Sequence, residues 1–154
     1  MNAQPEDGTV AGGSRERPGM DVAALQAMLG ELFAPWVREL ELVVRAAGAD
    51  SVQLSLPVQA RHIHAGGVVC GQTLMAAADT ALVLAASHVL GGFRPMTTVQ
   101  LQTSFLRPVP KDVEAVAITA RILKSGRSLV FGEVELALPG GELAAHVTST
   151  SALL

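Results

Sequence analysis

Residues 64–80, HAGGVVCGQTLMAAADT, hold the side chains best placed for chemistry. Asp79 sits inside an Ala-rich helical pattern with apolar residues on either side. A carboxylate is seldom placed there without a partner or a task. It can attack an electrophilic carbon, or it can take a proton from water. Gly71 falls where the helix begins, so free N–H groups point outward there and the helix dipole favours negative charge. Its missing side chain lets a carbonyl come close. Gln72 lies seven residues before Asp79, nearly two turns, and shares a helix face with it. It is a candidate to hold substrate or water beside the carboxylate. A nucleophile or base, an oxyanion donor and a polar positioner are what hydrolysis of an activated acyl carbon requires.

The other reactive side chains are weaker candidates. His64 is a possible general acid or water-orienting group, diluted by His62 two residues earlier. A metal set of His62, His64 and Asp79 matches no known ligand spacing, so no metal is expected. Cys70 is taken as a small core cysteine. His88 falls nine residues past Asp79, on the opposite side of the helix, outside the site. His146 alternates with Ala145 and Val147 and is expected to face away from the core.

These residues need a scaffold, and its punctuation is visible. Residues 1–20 are polar and Gly/Pro-rich, with no apolar h-region, and are expected to form a disordered arm preceding one domain at 21–154. Residues 21–34 place Val22, Leu25, Leu29, Leu32 and Trp36 at helical spacing behind an Asp21 cap, with Pro35 ending the helix. Residues 38–48 and 51–58 alternate as two strands. The longest helical pattern runs from about Cys70 to Leu90 and closes at Gly91-Gly92. Four strand-like runs follow, at 96–107, 112–124, 128–138 and 142–153, with turns at Pro108–Asp112, Ser125–Arg127 and Pro139–Gly141. Short turns favour antiparallel pairing. The expected fold is α+β, a curved antiparallel sheet wrapped around one long central helix. Alanines 76, 77, 78, 81, 85 and 86 let the sheet approach the helix axis.

Composition removes several classes. Net charge is −3 with 16% charged residues, and no basic stripe or aromatic platform suggests nucleic acid. The longest apolar run, ALVLAASHVLGGF, is expected to be too short and interrupted to cross a bilayer. A single cysteine suits a reducing cytoplasm. Any aromatic acyl group would have to stack on Phe33, Trp36, Phe93, Phe105 or Phe131.

The stretch from His64 to Asp79, with TTVQLQTSFLRPV (97–109), DTAL and GRSLVFGEVEL, resembles the hotdog-fold acyl-CoA thioesterases, in the branch of the phenylacetate-pathway thioesterase. That branch has Asn, five residues, His-Gly-Gly, six residues and an acid. Here His64 occupies the Asn position and Cys70-Gly71-Gln72 the His-Gly-Gly. The resemblance covers roughly residues 35–154. It implies a hotdog fold and a thioesterase in which Asp79 is nucleophile or general base. Gly71 N–H would polarise the thioester carbonyl, and His64 would orient water or substrate. Thr98 would assist from the partner subunit. Arg107, Lys124 and Arg127 become candidates for coenzyme A phosphates, with coenzyme A part of the substrate and no separate cofactor. A homodimer or homotetramer is expected, with the site at the seam and the 21–34 helix capping the acyl tunnel. Two other functions stay open: a hotdog dehydratase or enoyl-CoA hydratase pairing His64 with Asp79, and a non-catalytic acyl-CoA binding module.

Overall fold

A computed structural model describes residues 19–154. The expected arm at 1–20 lies outside them, apart from its last two residues. Asp21 caps α1 (Val22–Glu31), its carboxylate accepting from Ala24 N–H at 2.8 Å. Leu25 and Leu29 are buried as expected, joined by Met28, whereas Val22, Leu32 and Trp36 are exposed. The helical stripe stops early because α1 ends at Glu31. Pro35 does not simply end it; at the first position of a short second helix, α2 (Pro35–Arg38), its missing N–H costs no hydrogen bond.

That turn also delays the first strand. Glu39 and Leu40 N–H groups bond back to Pro35 and Val37, and Glu41 has a left-handed φ of 54°. β1 therefore spans only Val43–Ala47. Leu40 and Leu42 are buried all the same, so their alternation with Val44 reflects burial rather than strand geometry at the start of the run.

β2 (Ser51–Pro57) leads through a 3-10 turn at Ala60–His62 to α3 (Gly71–Leu90). α3 closes on Gly91 at φ 74°, with Gly91 N–H on His88 O and Gly92 N–H on Ser87 O. This double closure satisfies the last carbonyls, and the left-handed residue is most easily a glycine. β3 (Met96–Phe105), β4 (Ala115–Ser125), β5 (Leu129–Ala137) and β6 (Leu143–Leu153) complete the chain.

The six strands form one antiparallel sheet in the order β1-β2-β4-β5-β6-β3. This is the hotdog arrangement. Ala77, Ala78, Ala81, Ala85 and Ala86 of α3 are buried under it, with Ala76 only partly so. At Gly132 on β5 a Cβ would stand 2.6 Å from Leu82 Cδ2, so that glycine admits a helix side chain to the sheet. α3 has length and hydropathy enough to span a bilayer, contrary to the sequence expectation, yet 67% of the apolar window is buried. In this fold it is the core helix. His88 holds its C-terminal end, with ring nitrogens 2.9 Å from Met20 O and 2.6 Å from Gly48 O.

The two sheet edges differ. At β1, Gln26 from α1 accepts from Val44 N–H at 2.7 Å and donates to Leu42 O at 3.2 Å, standing in for part of a neighbouring strand. β3 ends the sheet on the other side, and Val99 is 64% exposed there.

Candidate active site

Asp79 lies halfway along α3 on the side facing β3. Thr98 Oγ1 donates to Asp79 Oδ1 at 2.7 Å. This bond lies within one chain, whereas the resemblance implied help from the Thr98 of a partner subunit. A bulge makes it possible. β3 pairs residue by residue with β6, and the register slips between Thr98 and Gln100. Beyond the slip, Leu101, Thr103 and Phe105 oppose the buried Ser149, Val147 and Ala145. Plain alternation back from Leu101 would turn Val99 and Thr97 toward the helix. The extra residue, Val99, puts Thr98 there instead. Bulges re-aim side chains in this way beside functional sites.

The start of α3 is held by a short hairpin-like loop. His64 N–H bonds to Val68 O, Gly67 N–H to His64 O, and Cys70 N–H to His62 O at 2.8 Å. Val69 N–H bonds to Val109 O, tying the loop to the segment after β3. Gly71 and Gln72 amides occupy the first turn, where no intrahelical acceptor exists. Phe105 packs onto Gly71 so closely that a Cβ there would stand 2.9 Å from Phe105 Cζ. Close packing is therefore a real reason for that glycine. A cleft of about 320 Å³ opens beside it, lined by Val69, Gly71, Leu74 and the Phe105–Val109 segment.

The remaining candidates fall in different places. Gln72 is exposed and lies about 10 Å along the helix axis from Asp79; a shared face does not bring the two together, because seven residues of rise separate them. His64 is exposed, its Nδ1 accepting from Gly66 N–H at 2.9 Å. Cys70 is half-buried with Sγ 3.1 Å from Thr73 Oγ1. Arg107 borders the cleft and donates to Leu143 O at 3.0 Å. Lys124 lies in the row Lys124–Phe131–Thr150–Gln100, with Arg127 in the adjoining turn. Gln100 is about 17 Å along β3 from the Phe105 end that carries Arg107, so the three cations do not gather in one chain. His146 bonds Glu133 at 3.2 Å.

His62 has a structural task. It is buried, and its Nδ1 accepts from Gln59 N–H at 3.3 Å. Burial, then the neighbouring Arg61 charge, push its pKa below the usual value, while a bond to the Pro57 backbone and Glu41 oppose them. Among the described residues no three metal-ligating side chains cluster. Two features were missed from sequence: the bulge at Val99 and the contact between Phe105 and Gly71. The bulge leaves no residue signature in TTVQL; Phe105 stood among the aromatics without a link to the glycine.

The sequence model of the thioesterase superfamily matches residues 66–145, more than half of the chain. The chain belongs to the thioesterase superfamily. The match takes in Gly71, Asp79, Thr98, Arg107, Lys124 and Arg127 and stops short of His64. Solved structures of the superfamily's fold agree. A phenylacetic acid degradation-related protein of Ralstonia eutropha is 28% identical, with TM-score 0.73 over 84% of this chain and 98% of that one. A Haemophilus influenzae thioesterase is 21% identical, with TM-score 0.78 over 90% and 93%. Zebrafish thioesterase superfamily member 2 is 23% identical, with TM-score 0.78 over 88% and 99%. No curated protein matches by sequence. This superfamily member thus carries the fold and family that the His64–Asp79 spacing and the 97–109 strand implied.

Proposed function

We propose that this chain hydrolyses the thioester of an acyl-CoA or acyl-carrier substrate, with Asp79 as nucleophile or general base. The observation that carries the reading is the 2.7 Å bond from Thr98 to Asp79 Oδ1. It fixes the carboxylate rotamer on the β3 side of α3 and leaves Oδ2 for the reaction. Along the general-base route, Oδ2 takes a proton from water as the water oxygen attacks the thioester carbon. The carbonyl oxygen gains charge beside the Gly71 amide. The C–S bond then breaks, and the thiolate leaves with a proton. Along the nucleophilic route, Oδ2 attacks the thioester carbon, the C–S bond breaks and the thiolate leaves to be protonated by solvent, and water then hydrolyses the resulting anhydride to the free acid and the Asp79 carboxylate. Coenzyme A enters only as part of the substrate. The single cysteine suits such work in the cytoplasm.

Gly71 and Asp79 of one chain are eight residues apart on a continuous helix, about 12 Å of rise. Reacting groups must come within about 3.5 Å of one carbon. The reading therefore joins Gly71 of one protomer to Asp79 of another, in a dimer formed along the β3 edge. In that dimer Arg107, Lys124 and Arg127 are candidates for the phosphates of coenzyme A. The test is release of free thiol from an acyl-CoA panel. Release that survives Asp79→Asn unchanged removes Asp79 from the mechanism.

A further inference from the structure

The cleft at the mouth of α3 has a chemistry of its own. Val69, Leu74, Phe105, Leu106, Pro108 and Val109 supply its walls, and Arg107 is the one charged side chain among its lining residues. Its volume, about 320 Å³, is at the low end of the roughly 300–1,000 Å³ seen for small-molecule sites. The pantetheine arm of coenzyme A carries amides, which lose hydrogen bonds when enclosed by apolar walls. An acyl group loses none. The aromatic wall, Phe105, is 52% exposed and presses on Gly71. Any carbonyl that meets the Gly71 amide therefore passes along the edge of this ring, and the first carbons of the acyl group lie against it.

We infer that Phe105 is the specificity-determining residue of the site, restricting the chain to compact, apolar acyl groups of aryl or short branched type. This rests on the thioesterase reading and names the substrate class within it. Phe105 acts by size and by its ring face, not by moving protons. Truncation should open space beside Gly71 and relax the restriction. It should leave untouched the ionisation that governs turnover, because the phenyl ring carries no titratable or hydrogen-bonding group and the Asp79 carboxylate is held by Thr98.

The experiment uses the full chain with phenylacetyl-, benzoyl-, isobutyryl-, octanoyl- and palmitoyl-CoA, and in parallel their non-hydrolysable thioether analogues. Wild type, Phe105→Leu and Phe105→Ala are compared for thiol release and for analogue binding. We expect the wild type to favour aryl and branched groups, and Phe105→Ala to shift the kcat/KM ratio of octanoyl to phenylacetyl by about tenfold or more toward octanoyl. Phe105→Leu should fall between, with the pH profile of kcat unchanged in both. A ranking that is the same in all three proteins, by turnover and by binding, overturns the inference. Analogue binding whose ranking shifts on truncation, with no thiol release by the wild type, would sink the thioesterase reading and keep Phe105 as the selector. Absence of both release and binding overturns both.

Discussion

Thr98 and Asp79 form a pair in which each side chain gives the other a purpose. The hydroxyl donates at 2.7 Å, so the carboxylate is held in one rotamer while its second oxygen stays available. Asp79→Asn keeps the shape and removes the proposed base; we expect thiol release to fall by about 10²–10⁴-fold. Thr98→Val removes only the donor and should cost roughly tenfold, as losing a hydrogen bond to a charged group does. Thr98→Ser, which restores it, should recover most of that loss. His62 makes a prediction of another kind. Its pKa in the fold lies below 6.5 because it is buried beside Arg61. Between that depressed value and 6.5 the unfolded chain binds more protons than the folded one. Stability must therefore rise with pH through this window, be complete above 6.5, and fall as the pH drops toward the folded value. Urea midpoints measured across the window should show this slope in the wild type. His62→Gln, which has no proton to take up, should flatten it.

At the scale of elements, the bulge at Val99 and the amide of Gln26 decide what each edge of the sheet does. Deleting Val99 would restore plain alternation along β3 and place Thr98 two positions before Leu101, still opposite Ser151 and on the face toward Asp79. A crystal structure of that variant should show the register slip gone and the Thr98–Asp79 hydrogen bond kept, and thiol release should stay above that of Thr98→Val. Gln26→Ala would leave Val44 N–H and Leu42 O without the partners they now have, and should lower stability by about 1–3 kcal/mol in denaturant unfolding. Neither device was legible in the sequence. A bulge is a change of register with no residue type of its own, and Gln26 on α1 meets β1 only in three dimensions. By contrast α3, its Gly91-Gly92 stop and the four later strands could be read directly, because the helical period and the turn residues agree there. The strand start near residue 40 failed for a physical reason: Leu40 and Leu42 are buried by the α2 turn and by Glu41 at positive φ, so alternation there arose without a strand. Within the site, Asp79 stands out in the sequence by its company of alanines, while the distance of Gly71 and Gln72 from it along one chain follows from helical rise, a coordinate separate from the shared face.

For the molecule as a whole, the argument turns on two edges and one distance. β1 is shielded by α1, while β3 ends the sheet, and an unpaired strand is a template for a second copy. Gly71 and Asp79 sit about 12 Å apart along α3, too far to share one carbonyl. Pairing two β3 strands antiparallel lays the two helices side by side in opposite directions, so that the Gly71 end of one approaches the Asp79 of the other. A two-fold interface of this kind repeats every contact twice and yields two composite sites. Sedimentation of the wild type should give twice the chain mass of 15.9 kDa, or a multiple of that. The sharper test mixes two inactive proteins. Gly71→Val and Asp79→Asn, unfolded together and refolded at equal concentration, should form mixed dimers in which one site carries both substitutions and the other carries neither. Recovery of about a quarter of wild-type thiol release is then expected, because half the dimers are mixed and each has one intact site. Each variant refolded alone should stay inactive. A mixture that forms mixed dimers yet recovers nothing would mean that both groups act from the same chain, and the helix between them would then have to break.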